Sequence, residues 1–127
     1  MLDSVRMEEP AGMRTARSEA LVIISAPDFF RDAALLSRLA LVAGLPTVCE
    51  WASMARDGCL IGYGPNYAAL WRRPAEYVAR ILRGEKPGEL PIEQPTLFEF
   101  AVNLKTAKAL GLTISEASLL RADEVIE

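Results

Sequence analysis

Three short apolar runs alternate with helical patterns between residues 20 and 63, and this alternation constrains the fold more than any other feature of the sequence. The run 20–24 is continuous and rich in β-branched residues, which is typical of a strand buried on both faces. The runs 45–50 and 59–63 predict two further strands, with Pro46 tolerated because it stands at the beginning of its strand.

The segments between these strands have helical character. Residues 32–43 carry an apolar stripe and are followed by Gly44, a typical C-terminal cap. Residues 51–57 suit one or two helical turns that end at Gly58. The resulting β-α-β-α-β order with short connections predicts a parallel sheet with right-handed crossovers. The predicted fold class is therefore α/β, a three-layer sandwich around a short parallel sheet.

The second half of the chain predicts a long helix over 66–83 and a return to the sheet at 97–103. A Pro/Gly/Glu-rich connector, 84–95, joins the two. Pro74 lies inside the helical pattern, where it lacks a donor and clashes with the preceding turn, so we expect a kink or a helix that restarts there. Two short helices follow. We divide the chain into an arm or helix remnant, 1–18, and one lobe, 19–127.

Composition and charge exclude several classes of function. The 127 residues contain no histidine, which removes Ser-His-Asp or Cys-His catalysis and His-ligated metals, so we expect no enzyme, no cofactor and no metal site. Fourteen basic and seventeen acidic residues are spread evenly, without the basic stripe that a nucleic-acid partner needs. No apolar run has the length of a bilayer span, and the first residues lack a signal-peptide core. The sequence as written predicts a cytoplasmic chain.

The two cysteines, Cys49 and Cys59, raise the question of a disulfide. Cys49 ends one predicted strand and Cys59 begins the next parallel strand, which places them at opposite edges of the sheet. That separation exceeds what a disulfide permits, so we expect two buried free thiols.

The carboxyl ends of the three parallel strands predict a binding site, because ligands of such sheets bind at that edge. An ammonium would pair with Asp28 or Glu50, an apolar group would stack on Trp51 or Tyr63, and a carboxylate would contact Asn66 or backbone N–H groups. The predicted ligand-binding residues are Ser25, Ala26, Asp28, Trp51, Tyr63, Gly64, Pro65 and Asn66.

Each of these residues also has a purely structural interpretation. Asp28 precedes a helix and suits a cap or turn. Gly64-Pro65-Asn66 is a turn signal in its own right. Trp51 suits a core or an interface, and Phe29-Phe30 suits packing under the following helix better than the mouth of a cleft.

Four stretches in this order carry a resemblance to a known family. They are 62–66, then 81–87 leading to 90–95, then 98–112, and finally 119–127. Together they resemble the C-terminal part of the substrate-binding proteins of ABC transporters, in the group that includes tryptophan and tyrosine transporter binding components. The resemblance covers residues 18–127, and VNLKTAKALGL after the Pro-rich connector is its most specific part.

The resemblance implies a periplasmic-binding-protein-like fold with two lobes that close over a small ligand, of which this chain is similar to the C-terminal lobe only. It implies a periplasmic protein that captures a small solute, such as an amino acid or an aromatic compound, and hands it to an ABC permease without chemistry. The alternative is a stand-alone α/β interaction or regulatory domain that acts as a homodimer.

The resemblance also implies that the helix 66–83 packs on a first lobe that this sequence lacks. Its apolar stripe would then have no partner within the chain. We expect a homo-oligomer through this stripe, which consists of Tyr67, Trp71, Val78 and Leu82.

Overall fold

The computed structural model describes residues 17–24 and 26–127. Most of the predicted arm, 1–18, and the predicted site residue Ser25 therefore lie outside the described residues. The division of the chain into an arm and a lobe stays a prediction.

Five strands form one sheet in the order β1-β2-β3-β4-β5. Their bounds are β1 Leu21–Ile23, β2 Thr47–Cys49, β3 Ile61–Pro65, β4 Phe98–Asn103 and β5 Glu124–Ile126. The pairs β1–β2, β2–β3 and β4–β5 are parallel, and β3–β4 is antiparallel. The predicted α/β class is confirmed, and the predicted parallel sheet is parallel except for the pair β3–β4.

The antiparallel pair follows from the path of the chain between β3 and β4. Pro65, the last residue of β3, pairs with Phe98, the first residue of β4. The long helix and the connector thus leave the sheet and re-enter it at the same edge, and the chain runs back along β3.

Six α-helices connect the strands within the described part of the chain. Their bounds are α1 Pro27–Arg31, α2 Ala33–Val42, α3 Ala52–Arg56, α4 Tyr67–Leu82, α5 Leu104–Ala109 and α6 Glu116–Leu119, with a 3-10 turn at Pro87–Glu89. Side chains cap the last three: Asn66, Asn103 and Ser115 each accept a hydrogen bond from a backbone N–H in the first turn of their helix.

One face of the sheet carries the core. Cys49, Gly62 and Ala101 lie in one row across β2, β3 and β4. The main buried cluster consists of Ile23, Ala33, Cys49, Met54 and Cys59, so that α2 and α3 both lie on this face. A second cluster joins Ala52, Ala55 and Ala101. On the opposite face the side chains of β2 and β3 stay partly exposed beside α6, which gives the predicted three layers.

The prediction of two free thiols is wrong, because Cys49 and Cys59 form a disulfide with their Cα atoms 6.4 Å apart. The prediction placed Cys59 inside a strand. It lies instead in the turn after α3, two residues before β3 begins, with its N–H donating to the carbonyl of Met54 at 3.2 Å. The turn brings Cys59 under β2, within the Cα separation that a disulfide permits.

The predicted restart at Pro74 does not occur, since α4 runs as one element from Tyr67 to Leu82. Contacts on either side of the proline tie the helix to the connector. Arg73 is ion-paired with Glu93, and the Tyr77 hydroxyl donates to the carbonyl of Pro91 at 2.8 Å. These contacts hold the helix against the connector on both sides of the residue that lacks a backbone donor.

Candidate functional site

The segment after β1 brings Ala26 and Asp28 to the carboxyl edge of the sheet. Ala26 is half-buried and precedes α1, where Pro27 occupies the first helical position. The carboxylate of Asp28 is exposed and forms an ion pair with the Arg31 guanidinium at 2.9 Å. The same guanidinium donates hydrogen bonds to Asp32 and holds the pKa of that carboxyl below its ordinary value. The charge of Asp28 at this edge is therefore partly compensated.

Trp51 follows β2 and occupies the N-cap position of α3. Its half-buried side chain packs against the cluster that contains Cys49, Cys59 and Met54. Its indole meets the ring of Tyr67 edge-on, with centroids 5.2 Å apart. Trp51 thus has both the core role and the position at the strand ends that the sequence suggested.

Tyr67 contacts three other aromatic side chains on this side of the molecule. Its ring stacks on Phe30 at 5.6 Å and approaches Trp71 at 6.0 Å. We call Phe30, Trp51, Tyr67 and Trp71 the aromatic wall. Sequence reasoning left Phe30 and Tyr67 out of the site, although Phe30 follows β1 closely and Tyr67 directly follows the capping residue Asn66.

Tyr63 lies on the other face of the sheet from Trp51. Gly62 and Gly64 on either side of it face the Glu50–Ala52 segment, so the alternation of β3 turns Tyr63 away from that segment. Its ring stacks on Phe98 at 5.8 Å and meets Phe100 at 6.3 Å. These three rings border a cavity of about 580 Å³ that also reaches α6 and Arg121. The two predicted stacking residues therefore belong to different surfaces.

Gly64, Pro65 and Asn66 form the end of β3 and the entry to α4. Gly64 lies against the backbone of Glu50. The side-chain oxygen of Asn66 accepts from the N–H of Ala69 at 2.7 Å, and its amide nitrogen donates to a Glu99 carboxylate oxygen at 2.5 Å. Asn66 thus has a structural role as cap and as a link to β4.

A groove of about 440 Å³ runs between α4 and the segment 93–97, which leads from the connector to β4. Its walls are mostly apolar, with Leu70 and Pro74 on the helix and Leu97 just before β4. The ion pair between Arg73 and Glu93 closes one side and holds the pKa of the Glu93 carboxyl below its ordinary value. At one end the groove reaches Asn66, the residue that follows β3.

The remaining chemistry of the described residues is limited. Residues 17–24 and 26–127 contain no group of three His, Cys, Asp or Glu side chains that could hold a metal ion. None of the helices that the structure describes is long and apolar enough to cross a membrane. What the strand ends offer is aromatic surface, two carboxylates and a capped helix start.

The sequence match decides the family. The model of the family described as ABC transporter substrate binding protein matches residues 7–126. The chain belongs to this family. A sequence search among curated proteins gave no match.

Three solved structures are similar to this chain. A conserved domain protein from Vibrio cholerae O1 biovar eltor is 27% identical, with a TM-score of 0.80 over 86% of this chain and 37% of that one. An ABC domain from Streptococcus pneumoniae in complex with L-Trp is 21% identical, with a TM-score of 0.78 over 90% of this chain and 40% of that one. The ligand-free, open structure of a substrate-binding protein with adhesive properties from Clostridium difficile is 20% identical, with a TM-score of 0.61 over 92% and 40%.

The last two likenesses show the fold alone, since the identities are low. The chain spans only 37–40% of the length of the three proteins whose structures it resembles. Members of the family are substrate-binding components that normally work outside the cytoplasm. The resemblance to the substrate-binding proteins of ABC transporters is confirmed by the family match.

Proposed function

We propose that the chain contributes one wall of the ligand-binding cleft of an ABC importer, for a small solute with an aromatic or amino-acid character. The observation that carries the proposal is the aromatic wall at the carboxyl ends of β1–β3, where Tyr67 contacts Phe30, Trp51 and Trp71. Exposed aromatic faces beside carboxylates suit a planar ligand with an amino group. The L-Trp bound to the streptococcal structure supports this ligand class.

The predicted contacts around the wall stay part of the proposal. Asp28 and Glu50 offer carboxylates for an ammonium group, and Trp51 offers a ring. The backbone of Ala26, Gly64 and Pro65, the amide of Asn66 and residue Ser25 complete the predicted set. Tyr63 remains a predicted contact, although its ring lies on the opposite face of the sheet. An ABC permease would receive the ligand.

A thermal-shift screen tests the proposal, since only a ligand that binds the native state raises the unfolding midpoint. The panel contains the twenty amino acids and small aromatic acids. We expect an aromatic amino acid to raise the midpoint of the parent protein. Trp51→Leu should abolish this shift, and Ile92→Ala, at an exposed connector position, should leave it intact. A panel without any stabilising ligand, or an unchanged shift in the Trp51 variant, would contradict the proposal.

The Cys49–Cys59 disulfide supports a location outside the cytoplasm, because disulfides persist in oxidising compartments and are rare in the reducing cytosol. The predicted periplasmic location of the family and the disulfide agree. We include in the proposal that this chain is exported from the cytoplasm. Non-reducing peptide mapping of the protein recovered from its cells would show whether Cys49 and Cys59 are joined there.

The second candidate function is a stand-alone domain that acts as a homodimer. The observation that favours it is the outward stripe of α4, where Trp71 is 62% exposed and Leu82 is 82% exposed. None of the described α4 residues is buried. A contiguous apolar stripe with two aromatic side chains is the kind of surface that a protein partner covers. The oligomeric state of the chain in solution separates the two candidates.

A further inference from the structure

The Cys49–Cys59 disulfide encloses the part of the chain that carries Trp51. The two cysteines are ten residues apart, and Glu50, Trp51 and all of α3 lie between them. We infer that Cys49 and Cys59 are positioning residues, whose disulfide holds Trp51 in the aromatic wall. This inference rests on the proposed function only for its consequence on ligand affinity.

Packing connects the disulfide directly to Trp51. Cys49 and Cys59 are 1% and 0% exposed, and the half-buried indole lies against their cluster. Cys49 is itself fixed in the sheet, where it pairs with Ile23 of β1 and Gly62 of β3. The disulfide therefore forms part of the floor under Trp51, and Trp51 in turn contacts Tyr67 at the centre of the wall.

Hydrogen bonds from outside the enclosed segment hold its other end. Asn103 donates its amide to the carbonyl of Ala55 at 2.8 Å, and the Thr106 hydroxyl donates to the carbonyl of Gly58 at 2.9 Å. Both anchors lie near the carboxyl end of α3. Opening the disulfide therefore leaves the end of α3 attached and removes the covalent link in the buried cluster on which the Trp51 indole packs.

Tryptophan fluorescence tests the inference without a ligand. The chain has two tryptophans, so Trp71→Phe leaves Trp51 as the reporter. In this background we compare C49A/C59A with the intact disulfide. We expect the emission of Trp51 to shift to longer wavelength and acrylamide to quench it more readily, because water reaches a loosened indole. Where a ligand of the parent is known from the screen, its affinity should fall by about tenfold, since the wall loses preorganisation.

The test has one control variant and one alternative way to open the disulfide. Val102→Ala truncates a fully buried side chain of β4 outside the cysteine cluster, so it weakens the fold without opening the disulfide and should leave the Trp51 emission unchanged. If C49A/C59A fails to fold, the Trp71→Phe protein is reduced instead with a water-soluble phosphine. In this reaction the disulfide, the phosphine and water give two thiols and the phosphine oxide.

The outcomes separate the two claims. Unchanged emission and quenching of Trp51 in the folded C49A/C59A variant, or in the reduced Trp71→Phe protein, would overturn the positioning role. The same change in Val102→Ala as in the cysteine variant would also overturn it, since general loosening would then explain the signal. A parent that binds nothing in the ligand screen contradicts the proposed function, while the fluorescence result still decides the positioning role.

Discussion

Gly64 lies directly against the backbone of Glu50. A Cβ on Gly64 would stand 1.8 Å from the carbonyl oxygen of Glu50. The end of β3 therefore meets the loop after β2 with no room for a side chain, and this contact sets the distance between two segments of the candidate site. Because the contact joins two backbone segments, neither segment can relieve a clash by rotating a side chain.

Gly64→Ala should lower the free energy of unfolding by about 1–3 kcal/mol, because overpacking forces one backbone segment to move. Chemical denaturation measures the loss. Gly88→Ala is the matched control, since a Cβ there meets no atom within 4 Å. Equal stability of the two variants would show that the loop after β2 yields without cost.

Asn103 combines two hydrogen bonds at a buried position. Its side-chain oxygen caps α5 through the N–H of Thr106 at 3.0 Å, and its amide nitrogen reaches the carbonyl of Ala55. Asn103→Ala should cost about 2–4 kcal/mol, because the helix loses its cap and a buried carbonyl loses its donor. Ser115→Ala removes only the exposed cap of α6 and should cost about 1 kcal/mol. Denaturant unfolding of both variants checks the order, and an equal loss would contradict it.

The pair Arg56–Glu124 joins α3 to β5 by two hydrogen bonds of 2.8 and 2.7 Å. These bonds hold the pKa of the Glu124 carboxyl below its ordinary value of 4.5. Its contribution to stability is therefore complete above pH 4.5 and is lost as the pH falls through the lower folded-state pKa.

Glu124→Gln should accordingly flatten the decline of stability in acid, measured as thermal midpoints between neutral pH and acid. The loss at neutral pH should be below about 1 kcal/mol, because the pair is exposed to water. Glu19→Gln, which removes the same charge at an exposed position, should leave the slope as in the parent. A parallel acid decline in parent and Glu124→Gln would contradict the assignment.

The sequence was sufficient for the α/β class because periodicity and glycine caps are local signals. The apolar runs before Ile24 and around Val48 contain β1 and β2, and Gly44 and Gly111, both with positive φ, stand just beyond the helices they end. The strand β5 was not predicted, since Glu124–Ile126 is three residues long and becomes a strand only by pairing with β4.

The sequence predicted at which edge of the sheet the site lies, but not on which face each side chain stands. Trp51 and Tyr63 both follow or end strands at that edge, whereas the structure places their rings on opposite faces of the sheet. The alternation of Gly62, Tyr63 and Gly64 carried that information, because both glycines had to face a close backbone. The disulfide was not predicted for a different reason. Tertiary packing sets the position to which the turn after α3 brings Cys59, and the local sequence pattern does not show it.

The exposed stripe of α4 provides the test of association. If a second copy covers it, the chain sediments as a dimer at micromolar concentration, and Leu82→Glu disperses the dimer by placing a charge in an apolar contact. We expect the dissociation constant to rise by at least about tenfold, as for truncation of a residue near the centre of an interface. Leu120→Glu is the matched control, because Leu120 is 80% exposed and lies outside α4, whereas Leu82 is 82% exposed within the stripe. If the parent sediments as a monomer, or if both variants disperse the dimer equally, the stripe is not an interface between copies. Ligand binding then remains as the one proposed function.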